Sequence, residues 1–184
     1  MHWHIQQAVR VVEAGGIIAY PTEAVYGLGC DPLNIDAVAH LLSLKQRSVD
    51  KGLILVAADI AQLSDFIEFP GGKTAEAIRA SWPGPVTWLL PVQSWVPDWL
   101  TGNHPTLAVR VSDHPVVREL CLEFDGPLVS TSANRQGHPP ARRAYQVRRQ
   151  FGDRIDYVVA GQTGKLAQPT EIRDAASGDI IRAS

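Results

Sequence analysis

Ile5, Ala8, Val9 and Val12 recur at the spacing of one helical face, and the Gly15-Gly16 pair closes that helix. Residues 16–20 form a short apolar run of strand length that ends at Pro21. Asn34 is placed to cap a helix over 35–44, whose apolar face is Val38, Leu41 and Leu42. The run 53–57 reads as a buried strand and 58–66 as a short helix. A further helix over 74–81 must stop before Trp82-Pro83-Gly84-Pro85. Strands are expected at 86–90 and 107–111, on either side of a loop rich in Trp and Pro. Asp113 with Pro115 opens a helix running to about residue 124. A buried strand at 128–131, a helix at 145–151 and closing strands at 157–160 and 180–182 complete the series. Short apolar strands alternating with helices predict an α/β sheet covered on both faces. The order is too irregular for simple doubly wound topology.

The 184 residues suit one domain spanning 1–184, and 45% hydrophobic with 20% charged residues excludes a disordered chain. A formal net charge of -2 excludes a chain that is basic overall, so any nucleic-acid contact needs a local patch. Cys30 and Cys121 are far apart and lack metal-ligand spacing, which predicts reduced thiols and no zinc site. The N-terminus lacks a basic region followed by an apolar stretch, and no run approaches about 18 apolar residues. A soluble, cytoplasmic chain without a membrane segment is expected.

Two phosphate signatures almost occur. Gly72-Lys73-Thr74 resembles the end of a P-loop, but the position of its first glycine is Ile67. Gly27-Leu28-Gly29 starts like a dinucleotide fingerprint, yet Pro32 stands where its last glycine belongs. Ser130 and Ser132 lie outside a GxSxG elbow. What remains is polar chemistry at strand ends: the block 21–29 (PTEAVYGLG), Lys45-Gln46-Arg47 with Lys51 after it, and the block 130–134 (STSAN). Each has an ordinary reading beside the functional one. Lys45 and Arg47 complement a helix C-terminus, Ser132 and Asn134 suit turn hydrogen bonds, and Thr22 suits the turn after Pro21.

Taken in order, PTEAVYGLG, KQR, the segment 107–115 (LAVRVSDHP) and STSAN resemble the YrdC-like family over essentially the whole chain, in its short single-domain form. The resemblance implies a twisted mixed β-sheet with helices on both faces. It also implies synthesis of L-threonylcarbamoyladenylate and pyrophosphate from L-threonine, bicarbonate or CO2, and ATP, in support of t6A37 modification of tRNA. The product would pass to separate tRNA threonylcarbamoyl-transfer proteins. The family's KxR and SxN signatures fall on Lys45, Arg47, Ser132 and Asn134, the catalytic set. Arg47, Lys51, Thr106, Asn134, Arg142 and Arg182 match positions that approach ATP. Thr22, Arg110, Ser132 and Thr170 match positions that bind threonine, with Arg110 the partner of its carboxylate.

The chain also departs from the family's pattern. The run from Lys51 to Val56 contains no histidine, so no histidine contact carries over. Thr170 sits in Pro169-Thr170-Glu171-Ile172-Arg173-Asp174 rather than the family's usual block, and Glu171 there is a candidate salt-bridge partner. No carboxylate cluster marks a metal cage, so Mg2+ is expected to arrive on ATP phosphates, with no protein-made metal site. Arg142, Arg143, Arg148, Arg149 and Arg154 read as a solvated helix face or as an RNA-facing surface. The second option supports the alternative function, a non-catalytic module binding structured RNA.

Overall fold

The amphipathic N-terminal run forms α1 (His2–Glu13), which buries Ile5, Ala8, Val9 and Val12, and Gly15 takes a positive φ just beyond it. A computed structural model describes residues 2–168 and 170–183. β1 (Ile18–Pro21) follows and pairs antiparallel with β2 (Tyr26–Gly29). The sequence does not announce β2, because Tyr-Gly-Leu-Gly has little intrinsic strand preference. Its glycines are needed for closeness instead: a Cβ on Gly29 would run into the Val129 carbonyl and the Tyr20 ring.

Asn34 caps α2 (Ile35–Lys45) as expected, its side chain accepting from the Ala37 N–H. The helix ends at Gln46 in the left-handed region (φ 50), whose N–H returns to the Leu42 and Ser43 carbonyls. A short 3-10 turn (Val49–Lys51) leads into β3 (Ile54–Ala57). The helix expected at 58–66 is reduced to one 3-10 turn, Ala61–Leu63. There Gln62 Oε1 accepts from the Ala58 N–H and Asp59 Oδ1 from the Gln62 N–H, side-chain bonds that compete with helix formation.

The remaining elements are α3 (Gly72–Ser81), β4 (Val86–Pro91), α4 (Asp98–Thr101), β5 (Thr106–Val111), α5 (Pro115–Phe124), β6 (Leu128–Ser132) and α6 (Ala144–Phe151). They are followed by β7 (Tyr157–Val158), β8 (Glu171–Asp174) and β9 (Ile180–Arg182). Neither α4 nor β8 has an apolar pattern that predicts it.

Among the described residues the strands form one mixed sheet, ordered β7-β1-β2-β6-β3-β5-β4-β8-β9. Strand alternation sends Leu55, Val109 and Val129 to a core with Val38 and Leu41 of α2, Ile78 of α3, and Val147 and Phe151 of α6. Ile18, Tyr20, Val56 and Leu128 point to the other face, under Val9 of α1 and Val116 and Leu120 of α5. Helices therefore cover both faces. On the α1–α5 face, Val56 pairs with both Arg110 and Leu128, and the next row is Ile54 with Ala108 and Ser130. That next row forms the floor of a cavity.

Candidate active site

The cavity has a volume of about 400 Å3. Thr22 comes to its wall from the β1–β2 turn, Arg47 and Lys51 from the segment after α2, and Thr106 and Arg110 from β5. Ser132 closes it at the end of β6, and Thr170 and Arg182 reach it from the β8–β9 edge. Stretches far apart in sequence thus converge because β5, β3 and β6 are neighbours in the sheet.

Arg110 is buried in the wall. Its Nη1 donates to Thr170 Oγ1 at 2.9 Å and Thr87 Oγ1 at 3.3 Å, and Nη2 lies 3.3 Å from Glu23 Oε2. Glu23 Oε1 accepts from Ser112 Oγ at 2.5 Å, while Glu23 Oε2 and Arg110 Nε have no hydrogen-bond partner among the described residues. Arg182 donates through Nε and Nη2 to the Thr170 carbonyl, at 3.2 and 2.7 Å. Desolvation, and then the charge of Arg110, lowers the Arg182 pKa. Arg47 is half-buried, donating from Nη2 to the Gly52 carbonyl at 2.9 Å while its Nε lacks a partner among the described residues. Desolvation lowers its pKa as well.

Lys45, Asn134 and Arg142 lie outside the cavity wall. Lys45 Nζ spends its three donors on the Ser132 carbonyl (2.6 Å), the Asn134 carbonyl (2.6 Å) and Asn134 Oδ1 (2.9 Å). Burial, with the Arg47 charge second, brings its pKa down to about 8. Asn134 Oδ1 also accepts from Ser132 Oγ at 2.7 Å, and its Nδ2 donates to the Arg135 and His138 carbonyls. Lys45 and Asn134 thus brace Ser132 from behind. Arg142 donates to the Leu166 and Ala167 carbonyls, holding the segment whose Leu166 N–H reaches the Glu23 carbonyl. Thr22 takes up its expected turn role, Oγ1 donating to the Val25 carbonyl, while still lining the cavity. Glu171 pairs with Arg173, the salt-bridge role the sequence allowed.

Glu23, Thr87, Ser112 and His104 were not singled out from the sequence. Glu23 offered a signal as a charge within the PTEAVYGLG block, and Ser112, which donates to Glu23, lies just past β5 within the LAVRVSDHP block; Thr87 is an ordinary strand residue that the β4–β5 pairing brings to Arg110. His104 lines the cavity from the loop before β5. Among the described residues the wall carries Arg47, Lys51, Arg110 and Arg182 but no carboxylate, so it suits anions and does not suit a protein-held cation. Among the described residues no group of three or more His, Cys, Asp or Glu could hold a metal. No helix among them is long and apolar enough to cross a membrane. Arg143 at the N-cap of α6, Arg148 and Arg149 within it, and Arg154 beyond it are all exposed, and Arg154 also donates to the Phe151 and Gln150 carbonyls.

A mixed sheet with such a cavity defines an α/β protein whose cationic, hydroxyl-lined pocket on one sheet face suits small anionic molecules. The sequence model of the Sua5/YciO/YrdC domain, described as "Telomere recombination", matches residues 10–184, and the chain belongs to this family. It is 49% identical over 180 residues to a threonylcarbamoyl-AMP synthase of Cellvibrio japonicus, covering 98% of this chain and 95% of that protein. A threonylcarbamoyl-AMP synthase of Nitrosococcus oceani is 50% identical over 181 residues, 98% of each. Among solved structures, P. abyssi Sua5 complexed with L-threonine superposes with TM-score 0.89 at 30% identity, covering 95% of this chain and 51% of that one. The chain therefore spans about half the length of Sua5. E. coli YciO matches with TM-score 0.82 at 25% identity, over 95% of this chain and 84% of that one.

Proposed function

We propose that the protein is a threonylcarbamoyl-AMP synthase, a nucleotidyltransferase that makes L-threonylcarbamoyladenylate and pyrophosphate from L-threonine, bicarbonate or CO2, and ATP. The observation that carries this reading is the meeting of Arg47, Lys51, Arg110 and Arg182 with Thr22, Ser132 and Thr170 in one cavity that no carboxylate among the described residues lines. The names of the relatives point the same way.

The reaction needs no protein nucleophile. Threonine's amine attacks the carbon of CO2, giving a carbamate and releasing a proton. A carbamate oxygen then attacks the α-phosphorus of ATP, and pyrophosphate leaves. Both nucleophiles belong to substrates, so the protein's task is to hold mutually repelling anions together. Two unit charges ~4 Å apart repel by about 4 kcal/mol at an effective dielectric near 20, which fixed guanidinium and ammonium groups offset. Correct positioning supplies roughly another 7–11 kcal/mol.

Arg47 and Lys51 take the phosphates, with Thr106 and Arg182 toward the rest of the nucleotide. Arg110 faces the threonine carboxylate, and Thr22, Ser132 and Thr170 offer hydroxyls to its side chain and amine. Lys45 and Asn134 keep Ser132 in place, and Arg142 steadies the 166–167 segment. Mg2+ travels on the nucleotide phosphates, since the described residues of the wall offer it no carboxylate. The product serves t6A37 modification through separate threonylcarbamoyl-transfer proteins in the cytoplasm. Pure protein given threonine, bicarbonate and ATP is expected to release pyrophosphate only when all three are present. Release that ignores threonine overturns the reading.

A further inference from the structure

Glu23 is an acidic side chain, 5% exposed, placed directly against the arginine that faces threonine in the reading above. A buried carboxylate is expensive unless it is paired and hydrogen-bonded. Glu23 is both: Oε2 lies 3.3 Å from Arg110 Nη2, and Oε1 accepts from Ser112 Oγ at 2.5 Å. Ser112 Oγ in turn accepts from the His114 N–H at 3.1 Å, which ties the arrangement to the start of α5. The Glu23 backbone is fixed too, its carbonyl accepting from the Leu166 N–H while the Thr22 carbonyl accepts from the Gly164 N–H. Glu23 itself is absent from the cavity wall, although its neighbours Thr22 and Ala24 are part of it. It therefore acts on whatever enters through Arg110.

The four wall cations are not equivalent. Among the described residues, Arg47 Nη2 pairs only with backbone carbonyls, Arg182 spends its Nε and Nη2 on one carbonyl, and of the four only Arg110 has a carboxylate behind it. Arg110 thus presents a guanidinium whose charge is already partly balanced, held between Glu23 on one side and Thr87 and Thr170 on the other. A polyphosphate gains most from uncompensated cations, and Glu23 repels it. A single carboxylate, which needs a fixed donor fork more than a large field, loses less.

We propose that Glu23 is a positioning residue that sorts the two anionic substrates: it orients Arg110 for the threonine carboxylate and keeps ATP phosphates off that subsite. This rests on the synthase reading. The test measures threonine and ATP KM by pyrophosphate release, and threonine affinity by calorimetry, for wild type, Glu23→Gln and Glu23→Asp. Glu23→Gln is expected to raise the threonine KM about tenfold, the worth of one charge-assisted hydrogen bond, with the ATP KM within about twofold. Inorganic tripolyphosphate should become a competitive inhibitor against threonine in Glu23→Gln only, and Glu23→Asp should restore most of the threonine affinity. Should Glu23→Gln fail to fold, Ser112→Ala carries the test: it keeps the charge but frees Oε1, and a several-fold rise in threonine KM alone is expected. An unchanged threonine KM, an equal rise in both KM values, or no competition by tripolyphosphate in folded Glu23→Gln overturns the proposal. Wild-type protein that neither binds threonine nor releases pyrophosphate overturns the synthase reading instead.

Discussion

Lys45 and Arg47 are two residues apart, yet they serve different neighbours. Gln46 between them takes the left-handed conformation, so Lys45 turns to the carbonyls of 132 and 134 while Arg47 enters the cavity wall. The tripeptide was legible as a cationic signature, but the division of labour was not, because it depends on one backbone angle. The same holds for Ser132 and Asn134, where strand alternation ends and only Ser132 lines the cavity. Lys45 also has a measurable proton signature. Its folded-state pKa of about 8 lies below its ordinary 10.5. Between those values the unfolded chain keeps a proton that the folded chain has released, so this group adds stability as pH rises across the window. Denaturant titrations at pH 8 and pH 10 should show wild type gaining stability relative to Lys45→Met; a flat difference would contradict the assignment. Burial likewise pushes Cys30 and Cys121 up to about 12. Neither thiol should react with an aromatic disulfide reagent in native protein at pH 8, and both should react after unfolding.

At the scale of elements, the sequence conveys those whose cause is local. α1, α2 and α5 carry apolar stripes with a glycine stop, an Asn cap and a first-turn proline, and they lie where those signals put them. The strands β2 and β8 and the short α4 were not legible, since their partners and not their composition make them regular. The segment 58–66 shows the reverse, an apolar pattern overruled by local side-chain bonds. Two substitutions separate these causes. Asn34→Ala removes the acceptor for the Ala37 N–H and should cost about 1 kcal/mol by denaturant titration, with both substrate KM values unchanged. Gly29→Ala places a Cβ against the Val129 carbonyl and should cost more, in the ~1–3 kcal/mol range of overpacked sites. A neutral result at Gly29 would mean that β2 and β6 can separate freely.

For the whole molecule, the sheet order does what no single motif can. β5, from the middle of the chain, lies beside β3, with β6 on the other flank of β3 and the β8–β9 edge beyond β4. Helices α1 and α5 cover one part of a sheet face, and the cavity occupies the rows that continue past them. The family pattern is readable from the ordered blocks, and the residues it marks mostly converge; Glu23 and Ser112 lie within those blocks, but their meeting, and that of Thr87 with Arg110, is a product of topology. The central claim is that this cavity holds nucleotide and amino acid side by side. A crystal structure of the protein with a non-hydrolysable ATP analogue and L-threonine tests it most directly. Phosphates are expected against Arg47 and Lys51 and the threonine carboxylate against Arg110, all within the same cavity. Either molecule bound elsewhere, or the threonine carboxylate remote from Arg110, would contradict it.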